Sequence, residues 1–419
     1  MMRPGGPRKS LEKLEGPMKQ CSSAGTAIVR RLFILILVLA AAPFVQAARP
    51  AKYLVYVGTY TGHGSQGIYA YTFDSSNGKL TSLGLAAESA QPSFLAASPD
   101  HHFLYAVNEL DQFQGKPDGA VSAFSIDSIT GKLTLLNQVS SRGAGPAFIT
   151  LDGTGRYILV ANYGGGSVAV FARMPDGSIG ELTAFVRHTG SSVNPQRQEG
   201  PHAHCIAMSP DNRFAVVADL GLDQLLEYPF NEKHGTLGIA RIVNTDPGAG
   251  PRHLVFSDSG KFVYVINELF STVTVYSYDS RDAFTQLRQT ISTLPSGFKG
   301  TNTDAEIALH PNGRFLYASN RGDDSITVFA VHGRKGTLSL IETVPTGGKT
   351  PRNFAIDPSG QWLLAANQNS NSVVTFQIDR KSGRLTATGE SAEVGSPVML
   401  DFLPVEKEKK SHRKVMKEE

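Results

Sequence analysis

The sequence predicts an all-β protein, a seven-bladed β-propeller with four-stranded antiparallel blades that the C-terminal strand closes into a ring. Three observations predict this fold. One unit repeats along most of the 419 residues, and the 42 glycines and 23 prolines suit many short strands joined by turns. A strand at each end of the repeats also lacks partners in its own unit.

The repeat is built around a β-hairpin, of which GPRHLVFSDSGKFVYVINEL (250–269) is the clearest copy. A third strand follows each hairpin, and most copies add a GKLT-like turn and a fourth strand. Four-stranded units at intervals of about 50 residues are typical of propeller blades. The polar residue that ends the second strand marks the seven copies: Thr59, Asn108, Asn162, Asp219, Asn267, Asn320 and Asn367.

Ring closure is predicted from the two ends of the array. LVYVGTY (54–60) matches a second strand, so the first unit lacks its inner strand. SPVMLDFLP (396–404) matches an inner strand and has no partners after it. We therefore expect the C-terminal strand to complete the first blade, with residues 48–405 forming the propeller.

Residues 1–47 have the features of a signal peptide with a long n-region. Arg30 and Arg31 precede the apolar run Leu32–Ala42, and a small-residue cleavage site ends at Ala47. The run would span only about half of a bilayer core, which disfavours a membrane anchor. We expect export to the periplasm or the medium, by either the Sec or the twin-arginine route, and no membrane association after cleavage. A translation start downstream of the leader would instead leave the protein in the cytoplasm.

Charge and cysteine content exclude two other classes of protein. Residues 1–47 carry seven Lys/Arg and two Glu, and residues 406–419 carry six Lys/Arg and four Glu. The formal charge of +3 therefore becomes about −4 for the body between them, which does not favour a nucleic-acid partner. Cys205 is the one cysteine outside the leader, so an intrachain disulfide is excluded. The mixed-charge segment 406–419 is expected to be a disordered tail.

The ends of the hairpins predict a functional site. The inner strand starts, and the second strand ends, on the same face of a propeller, so these residues of all blades meet at one mouth of the central channel. Ordinary turns would place Gly, Asn, Asp and Ser there. The fourth to seventh units instead carry charged and polar residues, which suit a small, anionic, oxygen-rich ligand: Glu199, His202, His204, Arg252, His253, Glu268, Asp304, Glu306, Arg321, Arg352 and Gln368.

Structural roles are the alternative for several of these residues. His202 and His204 share one face of a strand and suit a metal, but no third ligand stands near them in sequence, so we predict no metal and no cofactor. Instead of a catalytic role, Glu268 would form a structural ion pair with Arg252 or Arg321. Arg352 would either pair with Asp304 between blades or contact the ligand. Strand alternation would pack His253 away from Arg252. Three histidines at turns on the opposite rim are expected to be solvated: His101, His102 and His310.

Taken in order, the motifs resemble one known family. They are QEGPHAH (198–204), GPRH (250–253), NEL (267–269), DAE (304–306) with SNRG (319–322), and PRN (351–353) with NQ (367–368). The series, across residues 52–404, is similar to the seven-bladed lactonase family, which includes propeller-type 6-phosphogluconolactonases and the fungal carboxy-cis,cis-muconate cyclase. In the cyclase a histidine, two arginines and a glutamate are implicated. The resemblance therefore implies these catalytic residues here: His202, Arg252, Arg321 and Glu268.

The expected function is hydrolysis of a sugar-derived, 6-phosphogluconolactone-like or related carboxylated lactone, without a metal, by a monomer. Arg252 and Arg321 would hold the anionic group and polarise the carbonyl, and His202 or Glu268 would act as general base. The remaining mouth residues are expected to contact the substrate: Glu199, His204, Asp304, Arg352 and Gln368. Two alternatives remain, a muconate-type lactone cycloisomerase and a non-catalytic ligand-binding or interaction propeller. An exported enzyme would not meet 6-phosphogluconolactone, which arises in the cytosol, so the substrate stays open.

Overall fold

The computed structural model describes residues 52–405 except His63, Ser280 and Asp282. The predicted leader and tail lie outside these residues and stay predictions. Within the described range, 29 strands and one 3₁₀ turn form seven antiparallel sheets, six of four strands and one of five. The predicted seven-bladed propeller is confirmed. No helix in this range has the length and apolar character needed to cross a membrane.

The strands follow the chain from blade to blade. Blade 1 contains β1 (Lys52–Thr59), β2 (Gly67–Asp74) and β3 (Lys79–Glu88); blade 2 contains β4 (Leu95–Ala97), β5 (Phe103–Asn108), β6 (Ala120–Ile126) and β7 (Leu133–Ser140); blade 3 contains β8 (Pro146–Leu151), β9 (Tyr157–Asn162), β10 (Ser167–Arg173) and β11 (Ile179–Arg187). Blade 4 contains β12 (Ala203–Met208), β13 (Phe214–Asp219), β14 (Gln224–Asn231), β15 (Thr236–Leu237) and β16 (Arg241–Asn244); blade 5 contains β17 (Pro251–Phe256), β18 (Phe262–Asn267), β19 (Thr272–Asp279) and β20 (Ala283–Ser292).

Blade 6 contains β21 (Thr303–Leu309), β22 (Phe315–Arg321), β23 (Ser325–His332) and β24 (Thr337–Pro345); blade 7 contains β25 (Pro351–Ile356), β26 (Trp362–Asn367), the 3₁₀ turn η1 (Gln368–Ser370), β27 (Ser372–Ile378) and β28 (Leu385–Glu393); and β29 (Pro397–Pro404) returns to blade 1.

The core consists of layers between the blades. The second strand of a blade is apolar along its length, and in β9 every residue is buried, because both faces of the sheet contact a neighbouring blade. The outer strand β7 is mostly exposed. Seven hydrophobic clusters fill the seven spaces between adjacent blades, including the space between blades 7 and 1. The ring therefore has no unpacked sheet face at the point where its two ends meet.

Strand β29 closes the ring. It pairs antiparallel with β1 from Tyr53 opposite Pro404 to Thr59 opposite Pro397, and it forms the inner strand of blade 1. This pairing confirms the predicted closure by the C-terminal strand. It also places residues from the two ends of the propeller in one sheet, so that unfolding either end opens the ring.

A β-bulge shapes the mouth end of the inner strands. In blades 3 to 7 one extra residue of the inner strand faces the second strand at the same place. A bulge interrupts the alternation of side chains and redirects the extra one, often beside an active site. In blade 5 the bulge follows Gly250, whose φ of +65° and close contact with Leu269 favour glycine. The bulged positions are Ala147, His204, Arg252, Ala305 with Glu306, and Arg352.

The opposite rim corrects one prediction. His101 and His102 are exposed, as expected, but His310 is only 2% exposed and the prediction that it is solvated is wrong. Its Nε2 donates to the carbonyl oxygen of Gly360 at 2.8 Å, and its Nδ1 accepts from the backbone N–H of Asn312. The turn of the neighbouring blade covers this histidine, a contact that the local sequence does not encode.

Replacing Asp401 by Asn is expected to remove a pH-dependent loss of stability. Asp401 lies in β29 and accepts the backbone N–H of Ala97 in blade 2 at 3.2 Å. Burial raises the pKa of this carboxyl to about 7. Because the folded state holds the proton more tightly, the free energy of unfolding falls as pH rises from about 4 through about 7. The variant keeps an acceptor for Ala97 and should be more stable than the wild type at pH 8 and similar at pH 4. Urea unfolding at the two pH values measures this difference, and parallel curves for the two proteins would contradict it.

Candidate active site

Glu268 is the hub of the charged cluster at the mouth. It directly follows β18, and its carboxylate contacts three guanidinium groups. Oε1 lies 2.6 Å from Nη2 of Arg197, while Oε2 lies 2.9 Å from Nη2 of Arg321 and 3.1 Å from Nε of Arg252. Burial alone would raise the pKa of Glu268, but the arginines outweigh it and lower that pKa to about 2. The pairing of Glu268 with Arg252 and Arg321, expected as an alternative, is therefore present.

Arg252 and Arg321 already bind groups of their own chain. Nη1 of Arg252 donates to the carbonyl oxygen of Ala305 at 2.5 Å, and its Nε is close to Glu268 without the alignment of a hydrogen bond. Burial, with Arg321 and Arg352 nearby, lowers the pKa of Arg252 to about 9. Nη2 of Arg321 donates to the carbonyl oxygen of Asp304 at 2.9 Å. Both arginines thus hold Glu268 and neighbouring backbone in place.

Arg352 differs from Arg252 and Arg321 because none of its donors is hydrogen-bonded within the described residues. Its guanidinium lies over the ring of Tyr60, 5.2 Å from the centroid, and its Nη2 is 4.0 Å from Oε2 of Glu109. The hydroxyl of Tyr60 donates to the same Oε2 at 2.9 Å. Among the described residues Arg352 donates no hydrogen bond, although its side chain is only 16% exposed. Its donors are therefore available to a ligand in the mouth.

Asp304 does not pair with Arg352, so the structural alternative for these two residues is wrong. Its carboxyl is buried and accepts hydrogen bonds from Thr293 Oγ1 at 2.9 Å and from Asn302 Nδ2 at 3.0 Å. Burial raises the pKa of Asp304 well above its usual range, although the hydrogen bonds from Thr293 and Asn302 oppose this shift. The structure shows a buried, internally bonded Asp304 and does not bring its carboxyl to the mouth.

His202 has one ring nitrogen fixed by the backbone. Its Nδ1 lies 3.0 Å from the carbonyl oxygen of Tyr163, and its ring stacks on the Tyr163 ring at 4.4 Å. A carbonyl oxygen can only accept, so Nδ1 carries the proton and the neutral ring has its lone pair on Nε2. That Nε2 lies 3.3 Å from Oε1 of Glu199, whose side chain is 61% exposed. The arrangement presents a base beside a solvent-accessible carboxylate.

His204 is the bulged residue of β12. It is buried and its ring packs edge-on against Tyr163 at 5.4 Å and His253 at 5.1 Å. Burial, reinforced by Arg252, lowers the pKa of His204 well below its usual value, so the ring is neutral. Nδ1 has no hydrogen-bond partner within the described residues. Such a buried polar atom favours a ligand or a water molecule beside it.

A layer of packed side chains surrounds His253, next to the charged cluster. His253 pairs through Nδ1 with Oε1 of Glu306 at 3.1 Å, and Asn353 donates to the other oxygen of Glu306 at 2.5 Å. The His253 ring also packs against Phe94 and Phe148, which lie 4.2 Å apart. His253 is packed, as expected.

Contrary to the expected alternation, His253 is not separated from Arg252. Nη1 of Arg252 lies 3.3 Å from Nε2 of His253. The bulge in β17 causes this difference, because the extra residue allows consecutive side chains to contact each other.

The structure unites most of the predicted residues and adds others. Contacts link His202, His204, Arg252, Glu268 and Arg321 through Tyr163, His253 and Arg197. Gln368 begins η1, and within the described part of the chain its side chain forms no hydrogen bond or ion pair with the cluster. The repeat already contained a signal for three of the residues that sequence reasoning missed. The residue that follows the end of the second strand, as Glu268 follows Asn267, is in the first three units Tyr60, Glu109 and Tyr163.

The described residues contain no group of three or more His, Cys, Asp or Glu side chains arranged to bind a metal ion. The rings of His202 and His204 both contact the Tyr163 ring, but no third metal-ligating side chain joins them within the described residues. The mouth therefore offers cations, a neutral imidazole and unused hydrogen-bond donors. These groups suit an uncharged or anionic ligand that carries carbonyl and hydroxyl oxygens.

Comparisons with known proteins identify chains to which this one is similar. A family model described as "Lactonase, 7-bladed beta-propeller" matches residues 54–402. The 6-phosphogluconolactonase of Bacillus subtilis is 36% identical over 297 residues, 71% of this chain and 83% of the relative. That of Formosa agariphila is 36% identical over 301 residues, 70% and 83% of the two chains. The structure of the periplasmic gluconolactonase of Pseudomonas aeruginosa superposes with a TM-score of 0.80 at 36% identity, covering 85% of this chain and all of that one.

The names of these relatives support a lactone hydrolase as the class of enzyme. The family match covers nearly the whole propeller, and the relatives exceed 30% identity over most of their length. The chain belongs to the seven-bladed β-propeller lactonase family.

Proposed function

We propose that this protein is a metal-independent lactonase that opens a sugar-derived or related carboxylated lactone at the mouth of the propeller. His202 acts as the general base, and Arg352 stabilises the oxyanion. One observation carries the proposal: the Nδ1–H of His202 is bound to a backbone carbonyl oxygen, which directs Nε2 toward the mouth, where its neighbour is the exposed carboxylate of Glu199.

His202 suits the role of base better than Glu268. A general base works best when its pKa lies near the working pH, and a carboxylate with a pKa of about 2 accepts protons poorly. All of the charge on Glu268 is also engaged by three guanidinium groups. Glu268 therefore serves as the anion that holds Arg252 and Arg321 in position.

Arg352 suits the role of oxyanion donor better than the other two. Arg252 and Arg321 are bonded to Glu268 and to backbone carbonyl oxygens, whereas Arg352 has unused N–H donors at the mouth. Donors that are already in place where negative charge develops stabilise the transition state without reorganisation. Tyr60 and Glu109 orient the Arg352 guanidinium from the opposite side.

The proposed reaction balances without a cofactor. Nε2 of His202 takes a proton from water as the water oxygen forms a bond to the lactone carbonyl carbon, and the carbonyl π electrons move to the oxygen beside Arg352. When this oxyanion collapses, the bond to the ring oxygen breaks, and the imidazolium returns its proton to the departing alkoxide. The product is a hydroxy acid, which ionises at neutral pH.

We also propose export. The predicted leader and the periplasmic location named for the Pseudomonas relative support it. The lack of a metal-binding cluster among the described residues supports independence from metal. Mass spectrometry of the mature N-terminus tests the first proposal, and retention of activity after dialysis against a chelator tests the second.

Arg352→Gln is expected to lower kcat/KM for lactone hydrolysis by about 10²-fold, the typical cost of removing one oxyanion donor. Acid release from gluconolactone, 6-phosphogluconolactone and a muconate-derived lactone measures the activity. The exposed Arg187→Gln, which loses the same charge on β11, is the control and should match the wild type. A variant with wild-type turnover would remove Arg352 from the reaction. Binding without turnover would indicate a non-catalytic propeller, and an isomer in place of the hydroxy acid would indicate a cycloisomerase.

A further inference from the structure

We propose that Arg197 binds an anionic substituent of the lactone, a carboxylate or a phosphate, and so makes the enzyme prefer charged lactones. This inference rests on the lactonase function proposed above. It assigns a specificity role to a residue on a loop, outside the repeating blades, whereas the sequence had assigned the anionic group to Arg252 and Arg321.

The loop that carries Arg197 is long and built for a fixed shape. Residues 188–202 join β11 to β12, and irregular segments of this length in compact domains are usually functional. At its start, His188 pairs with Asp219 at 2.6 Å, and the Tyr228 hydroxyl contacts the same ring at 3.0 Å. Near its middle, Ser192 donates to Asp223 at 2.5 Å. The first half of the loop is therefore fastened to blade 4.

The residues next to Arg197 are equally fixed. Nε2 of the buried Gln198 donates to the carbonyl oxygen of Leu220 at 2.9 Å, and its Oε1 accepts the backbone N–H of Asn194. Oδ1 of Asn194 in turn accepts the backbone N–H groups of Gln196 and Arg197. The loop thus presents the Arg197 side chain to the mouth in one orientation, which lowers the entropic cost of binding a ligand.

Arg197 keeps most of its hydrogen-bonding capacity. Only Nη2 is engaged, with Oε1 of Glu268 at 2.6 Å and the Tyr163 hydroxyl at 3.4 Å. Nε and Nη1 donate no hydrogen bond within the described residues, and 37% of the side chain is exposed. An arginine with two free nitrogens matches the paired oxygens of a carboxylate or phosphate. Arg252, at 2% exposure, offers no comparable access.

The local charge balance also favours an anion. The guanidinium groups of Arg197, Arg252 and Arg321 share one contacting carboxylate, that of Glu268, while Glu306 acts on Arg252 and Glu199 acts on Arg197 from farther away. Concentrated positive charge in a concave site attracts anionic ligands. The exposed member of the trio is the one that a ligand reaches.

The test compares Arg197→Gln and Arg197→Lys with the wild type and with Arg187→Gln as the matched control. The substrates are a neutral aldonolactone, a carboxylated lactone and a phosphorylated aldonolactone. We expect Arg197→Gln to lower the ratio of kcat/KM for a charged lactone to that for the neutral one by at least about tenfold, mainly through KM. Arg197→Lys should restore part of the ratio, and Arg187→Gln should leave it within about twofold of the wild-type value. Comparing the two charged substrates shows whether a carboxylate or a phosphate is preferred.

Two results would overturn the inference. An equal loss of kcat/KM on all three substrates would mean that Arg197 acts only by positioning Glu268. Wild-type kcat/KM on all three substrates would mean that the loop does not select charge. Thermal unfolding of each variant shows whether the loop and blade 4 remain folded. If the wild type opens none of the lactones, the proposed function fails first and the inference falls with it; if it opens them at a ratio that Arg197 does not affect, the inference alone fails.

Discussion

His202→Asn is expected to lower kcat for lactone opening by about 10²- to 10⁴-fold, the range for a general base. The asparagine amide can still donate to the Tyr163 carbonyl oxygen, so the backbone contact is kept while the basic Nε2 is removed. The proposed base is lost, but Glu268 and its arginines are untouched, so KM should change much less than kcat. Steady-state kinetics with the best lactone of the panel measures both constants.

The matched control for this variant is His234→Asn, at an exposed turn outside the mouth, which should behave as the wild type. Glu199→Gln keeps the imidazole and removes only the carboxylate beside it, so it should retain more activity than His202→Asn. A His202 variant with more than a tenth of the wild-type kcat would return the role of base to Glu268. That outcome would require Glu268 to exchange its arginine partners on binding substrate.

The sequence predicted the fold well because a closed ring of similar units imposes its period on the chain. Each second strand is buried on both faces and so carries a continuous apolar run, as β9 does. In the sequence the β1 and β29 segments each lacked a strand partner, and pairing with each other supplied both. The structure contains this pairing. Blade 4 departs from the pattern, since its outer edge divides into β15 and β16, and the repeat gave no sign of this.

The sequence predicted which residues approach the mouth, but it did not predict which of their side chains contact one another. The repeat places Glu268 and Arg321 at the ends of second strands, and it places Arg252 and Arg352 at the starts of inner strands. The repeat does not show which side chains pair, because the pairing depends on β-bulges and on a loop that lies outside the repeat. One added residue in β17 brings Arg252 against His253, and the loop 188–202 adds a third cation to Glu268.

The predicted pairing of Arg352 with Asp304 failed for a related reason. Asp304 lies at the paired edge of the bulge in β21, where Thr293 and Asn302 satisfy its carboxyl, while the bulge in β25 redirects Arg352 toward Tyr60 and Glu109. The sequence suggested an ion pair between Asp304 and Arg352 because they lie in adjacent blades, 6 and 7. The neighbours of Arg352 are instead Tyr60 of blade 1, which ring closure places next to blade 7, and Glu109 of blade 2 beyond it.

Glu268→Gln is expected to lower the free energy of unfolding at pH 7 by about 3 kcal/mol. In the folded state the pKa of Glu268 is about 2, against an ordinary value of 4.5, and each pKa unit corresponds to about 1.4 kcal/mol. The amide cannot balance Arg197, Arg252 and Arg321, which would then repel one another in a buried site. Activity should fall with stability, since the same carboxylate positions the arginines around the mouth.

The pH dependence identifies the source of that loss. Because its folded-state pKa is depressed, Glu268 stabilises the wild type above about pH 4.5, and this stabilisation disappears as pH falls toward 2. The wild type and Glu268→Gln should therefore differ most near neutral pH and converge in acid, whereas Glu390→Gln, an exposed change on β28, should follow the wild type throughout. Urea unfolding at several pH values between 2 and 7 provides the measurement. A difference that stays constant across this range would show that Glu268 stabilises the mouth by packing and not through its charge, and the three arginines would then need another counterion.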